Sequence, residues 1–482
     1  MSIVGTARNS VLTPASSEVS RRFSESAATG DNRLMPTPQF HEWFTERRLS
    51  NDYLVEHVPF DRMAGWRFEP DTRDLVHESG RFYSVRGLEV RTDHREAAAW
   101  SQPIIVQPEI GILGILVKQF DGVLHCLMQA KMEPGNVNTM QLSPTIQATH
   151  SNYTRVHKGN AIPYLEHFVA PRRGRVLADA LQSEQGAWFL RKRNRNMVVE
   201  TTEDIPPHED FCWLTVAQLH ELLRFDNLVN MDARTVLAGF PFAAPVDRPS
   251  VLGEDSFRGA LTRSLAEEHG ALHDTVNLLS WFTELKSRHS LRQRIVPLAG
   301  LKDWRRTADR IFHERDKYFS VIGVDVHASN REVTRWSQPL LAPRSMGLLA
   351  FVTKRIEGVL HILIQARTEA GTQDVVEMAP TVHCAPENFS RSRDDPRPAF
   401  LDYVESAPRS QIRHDVVHSE EGGRFYHAQN RYLVIEADDS FPIETPDDFV
   451  WMTARQVTNL IQYGSHFNVE ARSLLACLHT LW

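Results

Sequence analysis

Apolar positions along this chain fall into helical and strand patterns, and each pattern occurs twice. From Gln39 onward, Phe40, Trp43, Phe44 and Leu49 recur at helical spacing. The stretch from Leu278 to Leu291 repeats this helix, sharing Trp-Phe-Thr-Glu at 43–46 and 281–284, an offset of 238. Trp66-Arg67 and Trp304-Arg305 follow at the same offset. Strand patterns come next, at Phe82 to Val85 with Leu88 to Val90, and at Tyr318 to Val321 with Val324 to Val326. Gly111 to Lys118 and Val123 to Ala130 read as hairpin arms around Asp121-Gly122, and the second copy carries Glu357-Gly358 at the turn. Ala187 to Arg191 and Met197 to Glu200 flank Asn194 as a second hairpin, matched by Phe425 to Ala428 and Tyr432 to Glu436. Thr215-x-x-Gln218 and Thr453-x-x-Gln456 have the form of capping boxes, in which the threonine oxygen accepts from a first-turn N–H. A short helix with Ala233-Arg234, or Ala471-Arg472, closes each copy.

Identical words strengthen the duplication. Trp-Ser-Gln-Pro at 100–103 recurs at 336–339, Gly-Val-Leu-His at 122–125 recurs at 358–361, and Pro144-Thr145 recurs as Pro380-Thr381. Each of these offsets is 236, so the chain holds two copies of one unit. The slip between 238 and 236 places a two-residue length difference between the first helix and the first strand. Helix, strands, then helices make an α+β unit, not the strand–helix alternation of a doubly wound sheet. Residues 1–35, rich in Ser, Ala, Thr and Arg, are expected to form a flexible arm. The repeats are expected at 36–241 and 271–482, joined by a linker over 242–270 through Pro245, Pro249 and Gly253.

Composition narrows the functional classes. The chain has 482 residues, 41% apolar and 24% charged, with a net charge of −7, which lacks the basic footprint of a nucleic-acid binder. Cys126, Cys212, Cys384 and Cys477 stand far apart with no CxxC pair, which argues against a zinc site or a disulfide framework. No apolar signal-peptide core is visible, and runs such as Gly111 to Val117 are too short to cross a bilayer. A soluble, cytoplasmic protein is expected, without nucleic-acid or membrane partners.

Candidate chemistry concentrates between Lys131 and His157. Lys131, Glu133, Asn136, Gln141, Thr145, Gln147, Asn152, Tyr153, Arg155 and His157 crowd one polar stretch beside an apolar strand. There is no GxGxxG, no GxxxxGK[ST] and no GxSxG, so Rossmann, P-loop and nucleophile-elbow chemistry are unsupported. No dense acidic cluster or helical HxxxH pair suggests a metal. Arg263-x-x-x-Glu267-Glu268-x-Gly270 overlaps the end of a magnesium-binding box but lacks its upstream glycine, and it reads as a helix end.

The two copies differ where titratable groups matter. Lys131 becomes Arg367, Gln141 becomes Glu377, Gln147 becomes His383, Tyr153 becomes Phe389 and His157 becomes Arg393. Glu133, Thr145, Asn152 and Arg155 are kept as Glu369, Thr381, Asn388 and Arg391. Groups unique to the first copy are candidates for catalysis there, against a reading of Lys131 and His157 as solvated and Tyr153 as a half-buried aromatic. Trp66 and Trp304 are either core contacts between halves or stacking platforms for a base. Arg155 and Arg391 are either phosphate clamps or structural ion pairs.

The run Lys131, Glu-Pro-Gly-Asn (133–136), Gln141-Leu-Ser-Pro-Thr-Ile-Gln147 and Ser151-Asn-Tyr-Thr-Arg155 resembles the NDP-hexose 2,3-dehydratases of deoxysugar and antibiotic biosynthesis. Glu377-Met-Ala-Pro-Thr381 and the two Trp-Ser-Gln-Pro words fit the same family. The resemblance implies tandem Nudix-like α+β units whose metal box is lost, assembled as a homodimer. It implies dTDP-4-keto-6-deoxyglucose as substrate, no cofactor and no metal. A reductase acting at C3 of the labile product is implied downstream.

On that implied reaction a base takes the C3 proton, the C2 hydroxyl leaves with help from an acid, and a donor holds the C4 oxyanion. Expected catalytic residues are Lys131 as oxyanion donor, Glu133 or His157 as base, and Tyr153 as acid. Expected substrate contacts are Trp66, Asn136, Gln141, Thr145, Gln147, Asn152 and Arg155. Trp304, Glu369, Thr381, Asn388 and Arg391 would line a second, degenerate pocket. Rival readings are a metal-dependent nucleotide-sugar pyrophosphatase and a non-catalytic nucleotide-sugar binding protein.

Overall fold

The computed structural model describes residues 17–95, 97–149, 162–242, 256–266, 270–329, 333–389 and 397–482. Its first half carries strands β1 (Tyr53–Val58), β2 (Trp66–Phe68), β3 (Leu75–His77), β4 (Ser84–Thr92), β5 (Ala99–Val106), β6 (Gly111–Phe120), β7 (Val123–Met132), β8 (Met140–Ser143), β9 (Ile146–Ala148), β10 (Arg175–Ser183), β11 (Arg193–Glu200) and β12 (Phe211–Thr215). The second half repeats them as β13 (Leu291–Val296), β14 (Trp304–Arg306), β15 (Arg310–His313), β16 (Phe319–Ala328), β17 (Arg335–Pro343), β18 (Gly347–Ile356), β19 (Val359–Arg367), β20 (Glu377–Ala379), β21 (Val382–Cys384), β22 (Ile412–Ser419), β23 (Gln429–Glu436) and β24 (Phe449–Thr453). The fold is α+β with mixed sheets in two repeated halves.

Each half builds one seven-stranded sheet of its own. In the first, the order is β10-β11-β6-β7-β12, with β8 on β7 and β9 on β6. The β11–β6 pair is parallel and the others are antiparallel. The β6–β7 turn works because Asp121 (φ 46°) and Gly122 (φ 87°) both take the left-handed conformation of a two-residue hairpin turn. Thr215 and Thr453 both cap helices with a full capping box.

The two five-stranded sheets are shared between halves. β13 of the second half pairs with β4 of the first, from Leu291↔Thr92 to Val296↔Gly87. β1 of the first half pairs reciprocally with β16 of the second, from Tyr53↔Ala328 to Val58↔Gly323. Glycine makes the exchange possible: a Cβ at Gly87 or Gly323 would sit 2.7 Å from the carbonyl oxygen of Val296 or Val58. Neither half completes its five-stranded sheet alone.

Three expectations need correction. The segment expected as a flexible arm is helical from Ser17 to Ala28 and packs on the core, with Phe23 fully buried against Phe240. Burying one such ring contributes about 1.5–3 kcal/mol, enough to hold a short helix in place. The expected linker likewise contains a helix, Phe257–Leu265. The two helices are copies. Ser26 Oγ accepts from Val216 N–H (2.9 Å), and Ser264 Oγ accepts from Ala454 N–H (2.7 Å). The repeat therefore starts one helix earlier than its identical words suggest. Those words do not reach the helices, because little beyond Ser26/Ser264 and Ala28/Ala266 is identical between them.

The second expected hairpin also fails. β11 pairs with β10, not with residues 187–191, which form a loop that touches β5 at an Ile105↔Phe189 bridge. That loop instead docks on the second half, where Gly371 N–H donates to Gly186 O (2.6 Å) and Arg191 N–H donates to Gly371 O (2.7 Å). All four cysteines are buried free thiols. Among the described residues, no helix is long and apolar enough to cross a membrane.

Candidate active site

The end of β7 and the short strands β8 and β9 bring the polar residues of the first half together. Lys131 sits opposite Gln141 in the β7–β8 register. Its Nζ donates to Gln147 Oε1 at 2.9 Å. Gln147 Oε1 also accepts from Ser143 Oγ (3.2 Å), so its Nε2 is left to donate to Glu133 Oε1 (2.5 Å). The order of that amide fixes Glu133 as an acceptor. Lys131, Glu133, Asn136 and Gln141 are all buried. Glu133 Oε2, Asn136 Oδ1 and Gln141 Oε1 are buried acceptors without a protein donor. Orphaned acceptors of this kind suit the hydroxyl donors of a sugar.

The second half completes this pocket. Gly135 N–H donates to Gly422 O and His427 N–H donates to Gly135 O, both at 2.7 Å. A Cβ at Gly135 would lie 1.8 Å from Phe425 O, so only glycine permits this docking. The same loop brings Glu421, whose carboxyl is pushed up to about 7, chiefly by burial and further by Glu184 and Glu133, against the opposing pull of Arg424. Asp232, on the helix Met231–Leu237, is pushed well above the usual carboxylate range by burial and then by Glu133. Gln141 Nε2 donates to Ser419 Oγ of the other half (2.7 Å).

The equivalent pocket in the second half is wired differently. Arg367 Nε donates to Glu369 Oε1 (3.1 Å), and His383 Nδ1 stands 3.7 Å from the same oxygen. Burial, reinforced by Arg367, drives His383 down to about 3, so the ring is neutral. His383 Nε2 lies 3.7 Å from Glu470, the counterpart of Asp232. Burial raises Glu377 to about 7. The residue entering from the partner half is Gln185, an amide where the first pocket receives the carboxyl of Glu421. Gln185 Nε2 donates to Glu420 Oε2 (2.8 Å).

A family model described as NDP-hexose 2,3-dehydratase matches residues 37–240 and again 275–478. The chain belongs to the NDP-hexose 2,3-dehydratase family. It is 50% identical over 478 residues to a Saccharopolyspora spinosa protein named dTDP-4-dehydro-6-deoxy-alpha-D-glucopyranose 2,3-dehydratase, covering 99% of this chain and 98% of that one. A Streptomyces violaceoruber protein of the same name is 53% identical over 93% of this chain and 98% of its own length. An Amycolatopsis orientalis protein, also of that name, is 47% identical over 95% and 93%.

For a member of the dehydratase family, the expected site residues fall into three groups. Lys131, Glu133, Asn136, Gln141 and Gln147 converge. Asn152, Tyr153, Arg155, His157 and Arg391 lie outside the described residues. Apart from Glu369 in the second pocket, the rest hold the fold together. Thr145 Oγ1 donates to Leu127 O (2.5 Å) and accepts from Leu116 N–H (2.8 Å), and Thr381 makes the same pair of bonds with Leu363 O and Val352 N–H. Trp66 is buried and donates its indole N–H to Ser337 O (2.8 Å), while Trp304 donates to Ser101 O (2.9 Å). Both tryptophans thus stitch one half to the Trp-Ser-Gln-Pro strand of the other. Asn388 sits on a short turn, where its carbonyl accepts from Lys317 Nζ (3.3 Å).

Sequence reasoning missed Asp232 and Glu421 in the dehydratase's first pocket. Asp232 had a signal, the word Asn230-x-Asp232-Ala-Arg234 repeated as Asn468-x-Glu470-Ala-Arg472. Glu421 had none, because it arrives from the far half.

Proposed function

We propose that this chain is a dTDP-4-dehydro-6-deoxy-α-D-glucopyranose 2,3-dehydratase, working in the pocket of the first half. The activity is carried by identity of about half to three near full-length relatives of that name. The choice of pocket is supported by Glu421, Lys131 and the uncrowded Glu133, where the second pocket has Gln185, Arg367 and a Glu369 held by an arginine.

The C4 ketone acidifies the C3 hydrogen. Glu133 takes that proton, Lys131 donates to the developing C4 oxyanion, and the C2 hydroxyl departs as water when an acid protonates it. The resulting enol takes a proton at C2 and becomes the 3,4-diketo-2,6-dideoxy sugar. Oxidation at C3 balances deoxygenation at C2, so atoms and electrons close within the substrate. Tyr153 and His157 stay in this reading as acid and alternative base, and Glu421 joins them as a second acid. Asn136, Gln141, Asn152 and Arg155 bind the substrate.

Each half is read as a Nudix-like unit that has lost its metal box, in keeping with a mixed sheet flanked by helices. The reading includes a homodimer, a C3 reductase as the next enzyme and a cytoplasmic setting, the last supported by four buried free thiols. The test is incubation of purified protein with dTDP-4-keto-6-deoxyglucose in D2O, with immediate trapping and mass spectrometry. Loss of water with one deuterium gained at C2 is expected. Cleavage to dTMP and sugar phosphate, or binding without turnover, would overturn the reading.

A further inference from the structure

Three side chains far apart in sequence meet where β13 crosses onto the first half. His94 follows β4, His289 caps the end of the helix Thr275–Arg288 just before β13, and Asp448 immediately precedes β24. One ligand atom from each lies within 4.8 Å of the others. We propose that His94, His289 and Asp448 bind a divalent transition-metal ion of the zinc type, which clasps the exchanged strand to both halves.

Hydrogen bonding decides the tautomers. Thr368 Oγ1 donates its only proton to Val375 O (2.8 Å), so it accepts from His94 Nδ1, which stands 2.8 Å away. His94 Nδ1 therefore carries a proton, and its Nε2 faces Asp448 Oδ1 at 3.4 Å. Two acceptors pointed at each other need a cation or a proton between them. His289 repeats the logic. Its Nδ1 lies 3.3 Å from Asp93 Oδ1, which also accepts from Ser290 N–H (2.9 Å), so the ring donates through Nδ1 and Nε2 is bare. The Nε2 atoms of both histidines are buried without a hydrogen-bond partner. The two rings lie with centroids 4.3 Å apart, a poor arrangement for two imidazolium charges.

This is the order of a built metal site, in which each ligating imidazole is aimed by a second hydrogen bond through its other nitrogen. Ligands 2.0–2.2 Å from a tetrahedral ion are themselves roughly 3.3–3.5 Å apart, so closure needs side-chain movements of about 1 Å. The carboxylates of Asp93 and Asp448 balance a divalent charge, and the nearby Arg288 is turned to Asp447 (3.6 Å). Asp448 is partly exposed, which gives the ion a way in. The other strand exchange lacks this set: His289 and Asp448 correspond to Asn51 and Asp210, and Asn51 is bonded to Ser329 and Arg47.

The test uses the untagged full-length protein, stripped of metal, titrated with zinc or cobalt and read by elemental analysis, cobalt absorbance and thermal unfolding. One ion per chain is expected, with a raised Tm and no sulfur-to-cobalt charge-transfer band. His289→Asn, which installs the first half's own residue, and Asp448→Asn should each abolish binding while folding normally by circular dichroism. Asp93→Asn should weaken binding about 10–100-fold. No binding by the parent protein, or binding that survives both ligand variants, would overturn the proposal. So would a sulfur charge-transfer band lost in Cys477→Ala, which would move the ion to the buried His414–His418–Cys477 group.

Discussion

Arg234 and Arg472, fully buried and 238 positions apart, each reach across the molecule to the equivalent carbonyl in the opposite half. Arg234 Nη2 donates to Ser419 O at 2.7 Å, and Arg472 Nη2 donates to Ser183 O at 2.6 Å. Arg472 is also the countercharge for the buried Glu184 and Glu377. Removing it takes away the largest countercharge of both groups, so Arg472→Ala should cost about 3–5 kcal/mol in urea unfolding. A loss under about 1 kcal/mol would show that the crossing is dispensable.

The halves should differ in kinetic weight. Lys131→Ala removes the proposed oxyanion donor and should lower kcat by about 10²–10³-fold with little change in the melting temperature. Arg367→Ala in the second half should leave kcat within a few-fold. Steady-state kinetics on both variants decides it, and the reverse pattern would move catalysis to the second pocket.

Glu421 should leave a mark on pH dependence. Its folded pKa of about 7 lies above its ordinary value of 4.5, so the folded state binds more protons between those pH values. Its contribution to stability therefore falls as pH rises from 4.5 to 7. Wild type should lose roughly 3 kcal/mol relative to Glu421→Gln across that window, taking the shift at about 1.36 kcal/mol per unit. Urea titrations of both proteins at about pH 5 and pH 8 measure the difference, and parallel pH profiles would exclude it. If Glu421 also protonates the leaving hydroxyl, kcat should decline above about pH 7 in wild type, and the limb should vanish in the glutamine variant.

The N-terminal helix should behave as core. Phe23→Ala should destabilise the protein by about 3–5 kcal/mol, as for a buried aromatic elsewhere. Thermal unfolding of that variant, beside one truncated before Ser17, separates the packed helix from the segment preceding it.

Gly135→Ala tests the docking of the halves. An added methyl at 1.8 Å from Phe425 O forces the loop away and should reduce kcat/KM at least about tenfold, since Glu421 enters on that loop. Near-normal kinetics would detach Glu421 from the chemistry.

What the sequence determined by itself was local or periodic. The Asp121-Gly122 turn, the Thr215 and Thr453 caps and the duplication are legible because each depends on neighbours along the chain or on repetition of the same words. The convergence of Lys131, Glu133, Gln141 and Gln147 was legible too, since one strand end and two short strands hold them within one continuous stretch, 131–147. Tertiary structure alone decided the exchange of β1 and β13, the delivery of Glu421 to the first pocket and the meeting of His94, His289 and Asp448. It also turned Trp66 and Thr145 from ligand candidates into fasteners, because a hydrogen-bonding group reveals its role only through its partner. Those partners lie in the other half or on a neighbouring strand, and spacing along a chain carries no record of them.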